Sequence, residues 1–299
     1  MRSLARILFA LGCIVAVPSV AFADDADAYY KQGLAYKQQG KTDDAIGALE
    51  KAVAANPKHG MAWSSLGNLY KQKQDIPKAV AAYENATATI KKDKVLWANL
   101  GMAYYRNKQI DKALEALQTA CRLDPKDAEI RGNLGTILRQ KGDVATAIVH
   151  LEIATKQKPD DPQYWNNLGV AYRTAKREDD AIKAYEKAVA LSPNDASFHF
   201  NLAVSYRRKE MIDQAIPEYE KATGLDPGNA EAWFDLGFMY KSDHQNDKAV
   251  DAFNHYLELN KGKDAGGEKR IQDELGSLGA TPKKPDGKKP APKKAPKKK

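Results

Sequence analysis

The sequence predicts an all-α solenoid of seven 34-residue helix-turn-helix repeats, and three observations carry that expectation. From Ala26 the chain divides, without insertion or deletion, into units 26–59, 60–93, 94–127, 128–161, 162–195, 196–229 and 230–263. Inside each unit small and apolar residues recur three and four positions apart, which places them on one face of a helix. Proline stands at position 32 of five units, where it stops a helix and turns the chain into the next unit. One unit alone leaves an apolar face in water, so stability requires stacking.

The elements follow in chain order. Arg2 and Arg6 precede an apolar stretch beginning at Ile7, and Ala21-Phe22-Ala23 has the small-x-small form of a signal peptidase site. Residues 1–23 therefore read as a secretory leader and Asp24 as the mature start, giving an exported, most simply periplasmic, protein. A lipid on Cys13 is the rival reading, but the apolar run continues well past that residue. No other stretch nears the roughly 18–20 apolar residues needed to span a bilayer. Loss of the leader would leave Cys121 as the one thiol of the chain's two cysteines, which excludes a disulfide scaffold.

In each unit, positions 4, 7, 8 and 11 share a face of a first helix, and positions 20, 24 and 27 share a face of a second. Position 20 is Ala in every unit, from Ala45 to Ala249, and position 8 is Gly in all but one, where Ala203 stands. Such small residues let two helices approach closely while larger side chains at positions 4, 11 and 24 fill the space beside them. Trp63, Trp97, Trp165 and Trp233 occupy position 4, and Tyr36, Tyr70, Tyr104, Tyr172, Tyr206 and Tyr240 occupy position 11. After the repeats, residues 264–279 carry Ile271, Leu275 and Leu278 at helical spacing, as a capping helix over the last open face requires. Residues 280–299 hold nine Lys, five Pro and one Asp with nothing to bury, which predicts a disordered Lys/Pro-rich tail.

The order Trp165, Leu168-Gly169, Tyr172, Ala181, Pro193, repeated along residues 26–263, resembles the W-x2-L-G-x2-Y…A-x3-F…A…P signature of the tetratricopeptide repeat family. Departures are local: Gln32, Arg131, Lys91 and Lys261 break single positions, and Tyr256 replaces the small residue of the last second helix. The resemblance implies a right-handed superhelix whose first helices line a concave groove, with positions 2, 5, 6, 9, 12 and 13 facing partner peptides. It also implies a non-catalytic protein-protein interaction scaffold, and exported proteins that look like this often serve envelope assemblies.

Carried over position by position, the groove holds two candidate sets. Position 6 supplies Asn99, Asn133, Asn167 and Asn201, with Asn166 at position 5 and Asn68 at position 9. A carboxamide offers a donor and an acceptor together, matching the N–H and C=O of an extended peptide whatever its sequence. Position 12 supplies Lys37, Lys71, Arg139, Arg173, Arg207 and Lys241, with Arg106 and Arg208 at position 13. These cations favour an anionic ligand, and the arginine forks suit carboxylates. Phe200, Phe234 and Phe238 leave two readings open, an aromatic anchor for a peptide or packing against the capping helix.

Charge location narrows the partner. The whole chain has net charge +8, and residues 280–299 alone supply that +8, so the rest sums to zero. Bulk charge therefore argues against a nucleic-acid-binding domain. The tail instead suits an anionic envelope surface, and the alternative function is binding of an anionic glycan or lipid headgroups by cation stripe and tail together. No residue set points to an enzyme, a cofactor or a metal. Ala35-x4-Gly40-Lys41-Thr42 satisfies a loose phosphate-loop pattern, but a helix is expected before it where that loop needs a strand. The five histidines fall at unrelated repeat positions, with His199 in the place of a Trp.

Overall fold

The computed structural model describes residues 19–280, with side chains from Asp25 onward. The expected leader falls largely, and the Lys/Pro tail from Thr281 wholly, outside the described residues. Every regular element among the described residues is an α-helix. The chain separates into two compact units, Met1–Pro125 and Lys126–Lys299.

The first unit contains α1 (Ser19–Gln38), α2 (Thr42–Ala55), α3 (Gly60–Gln72), α4 (Ile76–Thr89), α5 (Lys94–Arg106) and α6 (Ile110–Leu123). Helices pack as antiparallel neighbours in chain order, α1 on α2, α3 on α4 and α5 on α6, with α2 on α3 and α4 on α5 joining the pairs. Ala45, Leu49, Leu66, Ala79, Tyr83, Ala113 and Leu117 lie at the centre of this unit, all within 1% of complete burial.

The second unit contains α7 (Ala128–Lys141), α8 (Val144–Gln157), α9 (Pro162–Thr174), α10 (Glu178–Leu191), α11 (Ala196–Arg208), α12 (Ile212–Leu225), α13 (Ala230–Ser242), α14 (Asn246–Asn260) and α15 (Ala265–Ser277). The same pairing runs through α13 on α14, and first helices also touch each other, α7 with α9 and α9 with α11. Ile271 and Leu275 of α15 are fully buried in the cluster that includes Leu236, Tyr240, Phe253 and Tyr256.

Local chemistry explains the boundaries. Asp93, Asp127, Asp161 and Asp195 each cap the first turn of the helix that follows through the side-chain carboxylate. The turn inside each helix pair passes through a left-handed residue at one fixed repeat position: Gly40, Gln74, Lys108, Gly142, Lys176, Glu210 and His244, with φ between 57° and 94°. Only two of these are glycine, the residue that adopts this conformation without steric cost.

The close approach of paired helices rests on position 8. A Cβ on Gly67 or Gly169 would stand 2.5 or 2.6 Å from the ring of Tyr83 or Tyr185. Where Ala203 fills this place the facing ring is Tyr219, whose hydroxyl turns to Asp235 of α13, whereas the Tyr83 hydroxyl bonds Asn68 of its own helix pair.

Two further contacts recur with the same period. The indole N–H of Trp63, Trp97, Trp165 and Trp233 donates to the carbonyl six residues earlier, at 2.8–3.1 Å. His199 reproduces that bond, its Nε2 lying 2.9 Å from the Pro193 oxygen. The hydroxyls of Tyr70, Tyr104, Tyr172, Tyr206 and Tyr240 donate to the carboxylates of Glu50, Glu84, Glu152, Glu186 and Glu220 at 2.5–2.9 Å, tying each second helix to the following first helix.

Candidate functional site

The candidate residues of the second unit sit on its first helices. Asn133 lies on α7, Asn166 and Asn167 on α9, and Asn201 on α11, all half-buried. Asn201 is engaged at both ends: its Nδ2 donates to Asn166 Oδ1 at 3.0 Å and its Oδ1 accepts from Arg173 at 3.3 Å. The side chains of Asn133 and Asn167 make no hydrogen bond with the described residues. Their carboxamides keep a donor and an acceptor available on neighbouring helices that touch each other.

Two guanidinium groups flank them. The guanidinium of Arg139, half-buried at the end of α7, forms no hydrogen bond or ion pair with the described residues. Arg173 lies 5.6 Å from the ring centroid of the fully buried Tyr185, whose hydroxyl has no partner among the described residues. Burial pushes that phenol well above its usual range, against the pull of Arg173 and Arg139, so it stays protonated.

The other candidate cations of this unit, Arg207, Arg208 and Lys241, are paired internally. Arg207 donates to the Tyr219 hydroxyl at 3.1 Å and pairs with Asp235 at 3.4 Å, while Tyr219 donates to the same carboxylate at 2.9 Å. Burial raises Asp235 above the ordinary carboxylate range, and Arg207 and the Tyr219 hydrogen bond oppose the shift. Arg208 pairs with Glu178 at 3.1 Å, and Lys241 with Glu274 of α15. The cation set read from positions 12 and 13 is therefore not uniform, because Arg207, Arg208 and Lys241 meet carboxylates that lie too far along the chain to be matched by eye. Phe234 and Phe238 pack on each other at 4.9 Å, with the Arg270 guanidinium of α15 over both rings at 5.2 and 4.6 Å. That arrangement matches packing against the capping helix.

In the first unit, Lys71 donates to Asn99 at 3.0 Å, and Asn68 accepts from the Tyr83 hydroxyl at 2.8 Å. Lys37 and Arg106 are exposed. Gly40 follows a helix rather than a strand, so the phosphate-loop pattern there is the turn of a helix pair. Cys121 is buried. Among the described residues no three His, Cys, Asp or Glu side chains gather as a metal would require, and no helix is long and apolar enough to cross a membrane.

The tyrosine-glutamate bonds and the left-handed turn residue escaped the sequence reading, although the first had a signal. Glu stands twenty residues before each bonded Tyr, and where Leu138 takes the Tyr position the preceding unit has Gln118 in the Glu position.

Comparison with known proteins gives the class. The model of the cilia and flagella-associated protein 70 C-terminal domain matches residues 9–226, and a tetratricopeptide repeat model matches residues 218–251. The chain belongs to the tetratricopeptide repeat family. Among solved structures it is similar to a tetratricopeptide repeat protein from Parabacteroides merdae, with TM-score 0.61, 15% identity and coverage of 85% of this chain and 98% of that one. Pseudomonas aeruginosa pilF gives TM-score 0.57 at 21% identity, covering 75% and 99%. The APC/C hetero-tetramer Cut9-Hcn1 gives 0.56 at 27% identity over 74% of this chain, which spans 44% of the length of that one. No curated protein matches the sequence. Such neighbours suggest a scaffold for protein-protein interaction, and proteins of this fold are typically non-catalytic.

Proposed function

We propose that the chain is a non-catalytic scaffold that holds an extended, acidic segment of a partner protein along the first helices of its second unit. The observation that carries this reading is the pair of half-buried carboxamides on α7 and α9, Asn133 and Asn167, unspent within the chain and flanked by Arg139 and Arg173. Carboxamides grip the backbone of an extended strand, and the two guanidinium groups select carboxylate side chains on it. A structural neighbour, YrrB, is described as a repeat protein with an unusual peptide-binding site, at TM-score 0.54 and 20% identity over 62% of this chain and 95% of that one. The leader-like start and the lysine tail support an exported protein held at an anionic envelope surface.

The test is photo-crosslinking in the native cell from a probe at position 167, in the full chain and in one truncated after Gly279. A discrete protein adduct that survives truncation supports the reading and names the partner. Asn133→Ala is expected to lower the yield from that probe about tenfold, the loss of one to two hydrogen bonds of about 1 kcal/mol each. Absence of any protein adduct, with release of the truncated chain from the envelope fraction, overturns it in favour of polymer binding by the tail.

A further inference from the structure

At the end of the second unit a pocket of about 400 Å³ opens among α13, α14 and the start of α15. Its walls are the rings of Phe234 and Tyr256, with Ala230 and Asn260 beside them, and its two charged lining residues are Glu231 and Asp264. Glu231 is exposed, its side chain makes no hydrogen bond or close ion pair with the described residues, and at longer range it acts on Arg207. Asp264 is fixed in place: Oδ1 accepts the Gly267 N–H at 3.0 Å as the cap of α15, and Oδ2 accepts the Tyr256 hydroxyl at 3.2 Å. Asn260 in turn donates to that hydroxyl at 2.9 Å. The backbone hydrogen bond holds Asp264 below its usual range and therefore ionised.

Two carboxylates over aromatic walls ask for a cation with an apolar stem. A hard metal ion would need six or more oxygen ligands, which this pocket does not offer. A lysine side chain fits on both counts, laying its methylenes on the Tyr256 ring beside Phe234, whose ring also carries the Arg270 guanidinium at 5.2 Å, and its ammonium between the carboxylates. We propose that this pocket takes a lysine of the chain's own segment 281–299.

Length and charge single out that occupant. The pocket adjoins Asp264, at the start of α15, and the described chain ends at Ala280, just past its other end. The helix has 13 residues, a return distance of about 20 Å at 1.5 Å per residue. At no more than about 3.5 Å per residue, the backbone at Lys283 falls short and Lys284 reaches only fully extended, whereas Lys288 and every lysine after it reach with slack. Tethering places those side chains at an effective concentration on the order of millimolar, so even a weak site is occupied. The proposal is independent of the peptide reading, since it uses neither the asparagines nor their flanking arginines.

Zero-length carbodiimide coupling of the full chain tests it, because an amide forms only where an ammonium already touches a carboxylate. Equal parts of unlabelled and 15N-labelled chain are mixed, coupled at low and high salt, and digested for mass spectrometry. The expected result is enrichment of links from Glu231 or Asp264 to Lys288 or later lysines, within one label, unchanged by dilution and suppressed by salt. Glu231→Gln, at an exposed position, is expected to lower the Asp264 link about fivefold with an unchanged circular dichroism spectrum. Three results would overturn the proposal: links of mixed label, which mean a second copy supplies the lysine; links spread evenly over surface acids; or an Asp264 link insensitive to Glu231→Gln.

Discussion

At the scale of single residues, His150 and His199 show how a repeat position takes on a chemistry of its own. Arg131 stands where other units have an aromatic residue, and its guanidinium lies 3.2 Å from His150 Nδ1. An arginine can only donate, so that nitrogen must accept and the ring must be neutral. Burial and Arg131 together lower the His150 pKa from 6.5. A depressed folded-state value means that the unfolded chain binds the proton more readily, so stability is present above pH 6.5 and is lost as pH falls through the folded value. The urea midpoint should therefore drop between pH 7.5 and 5.5, and His150→Gln, which keeps an acceptor but does not titrate, should flatten part of that slope. An unchanged slope would mean that other groups carry it. His199 was legible as a Trp substitute from its position, and its bond to Pro193 follows from that. Its second contact, Nδ1 to Glu218 at 2.6 Å, was not, because Glu218 lies on the facing helix.

At the scale of elements, the helices α3 to α14 begin at intervals set by the 34-residue period, and the small residues at positions 8 and 20 together with the prolines at position 32 made them readable, whereas the aspartate caps did not enter that reading. The turn between paired helices was not readable, since its left-handed residue is Gln, Lys, Glu or His in five places and backbone geometry rather than side-chain type is what recurs. Such a residue in this region costs about 1–2 kcal/mol relative to an unstrained one. Lys176→Gly removes the strain while enlarging the entropy of the unfolded chain, and the balance is an expected gain of about 0.5–1 kcal/mol, seen as a higher urea midpoint. Gly169→Ala should act in the opposite direction, because its methyl would meet the Tyr185 ring at 2.6 Å. The expected loss is about 1–3 kcal/mol, and at the naturally occurring Ala203 the facing Tyr219 hydroxyl is held by Asp235, a partner that Tyr185 lacks among the described residues. A double-mutant cycle on Tyr206→Phe and Glu186→Gln should show a coupling of about 1 kcal/mol for the recurring bond between successive pairs.

At the scale of the whole molecule, charge is segregated rather than spread. Residues 280–299 contain nine Lys and one Asp, the full net +8 of the chain, and residues 1–279 sum to zero. Inside the second unit the cations of the candidate face divide again, with Arg207, Arg208 and Lys241 neutralised by Asp235, Glu178 and Glu274 while Arg139 has no such partner. The sequence showed the first division plainly and hid the second, because pairing depends on side chains brought together from helices some 30 residues apart. The consequence is a separation of tasks that can be measured. Attraction of the whole chain to an anionic surface should reside in the tail, at about 1 kcal/mol for each lysine near the surface. Full-length protein is expected to sediment with vesicles containing anionic phospholipid at 0.05 M salt and to be released at 1 M, where the Debye length falls to about 3 Å. The chain truncated after Gly279 should stay in the supernatant at both salts while keeping its helical spectrum. Sedimentation of the truncated chain would place the attraction on the repeats instead, and Arg139→Ala with Arg173→Ala would then show whether the asparagine face is the surface responsible.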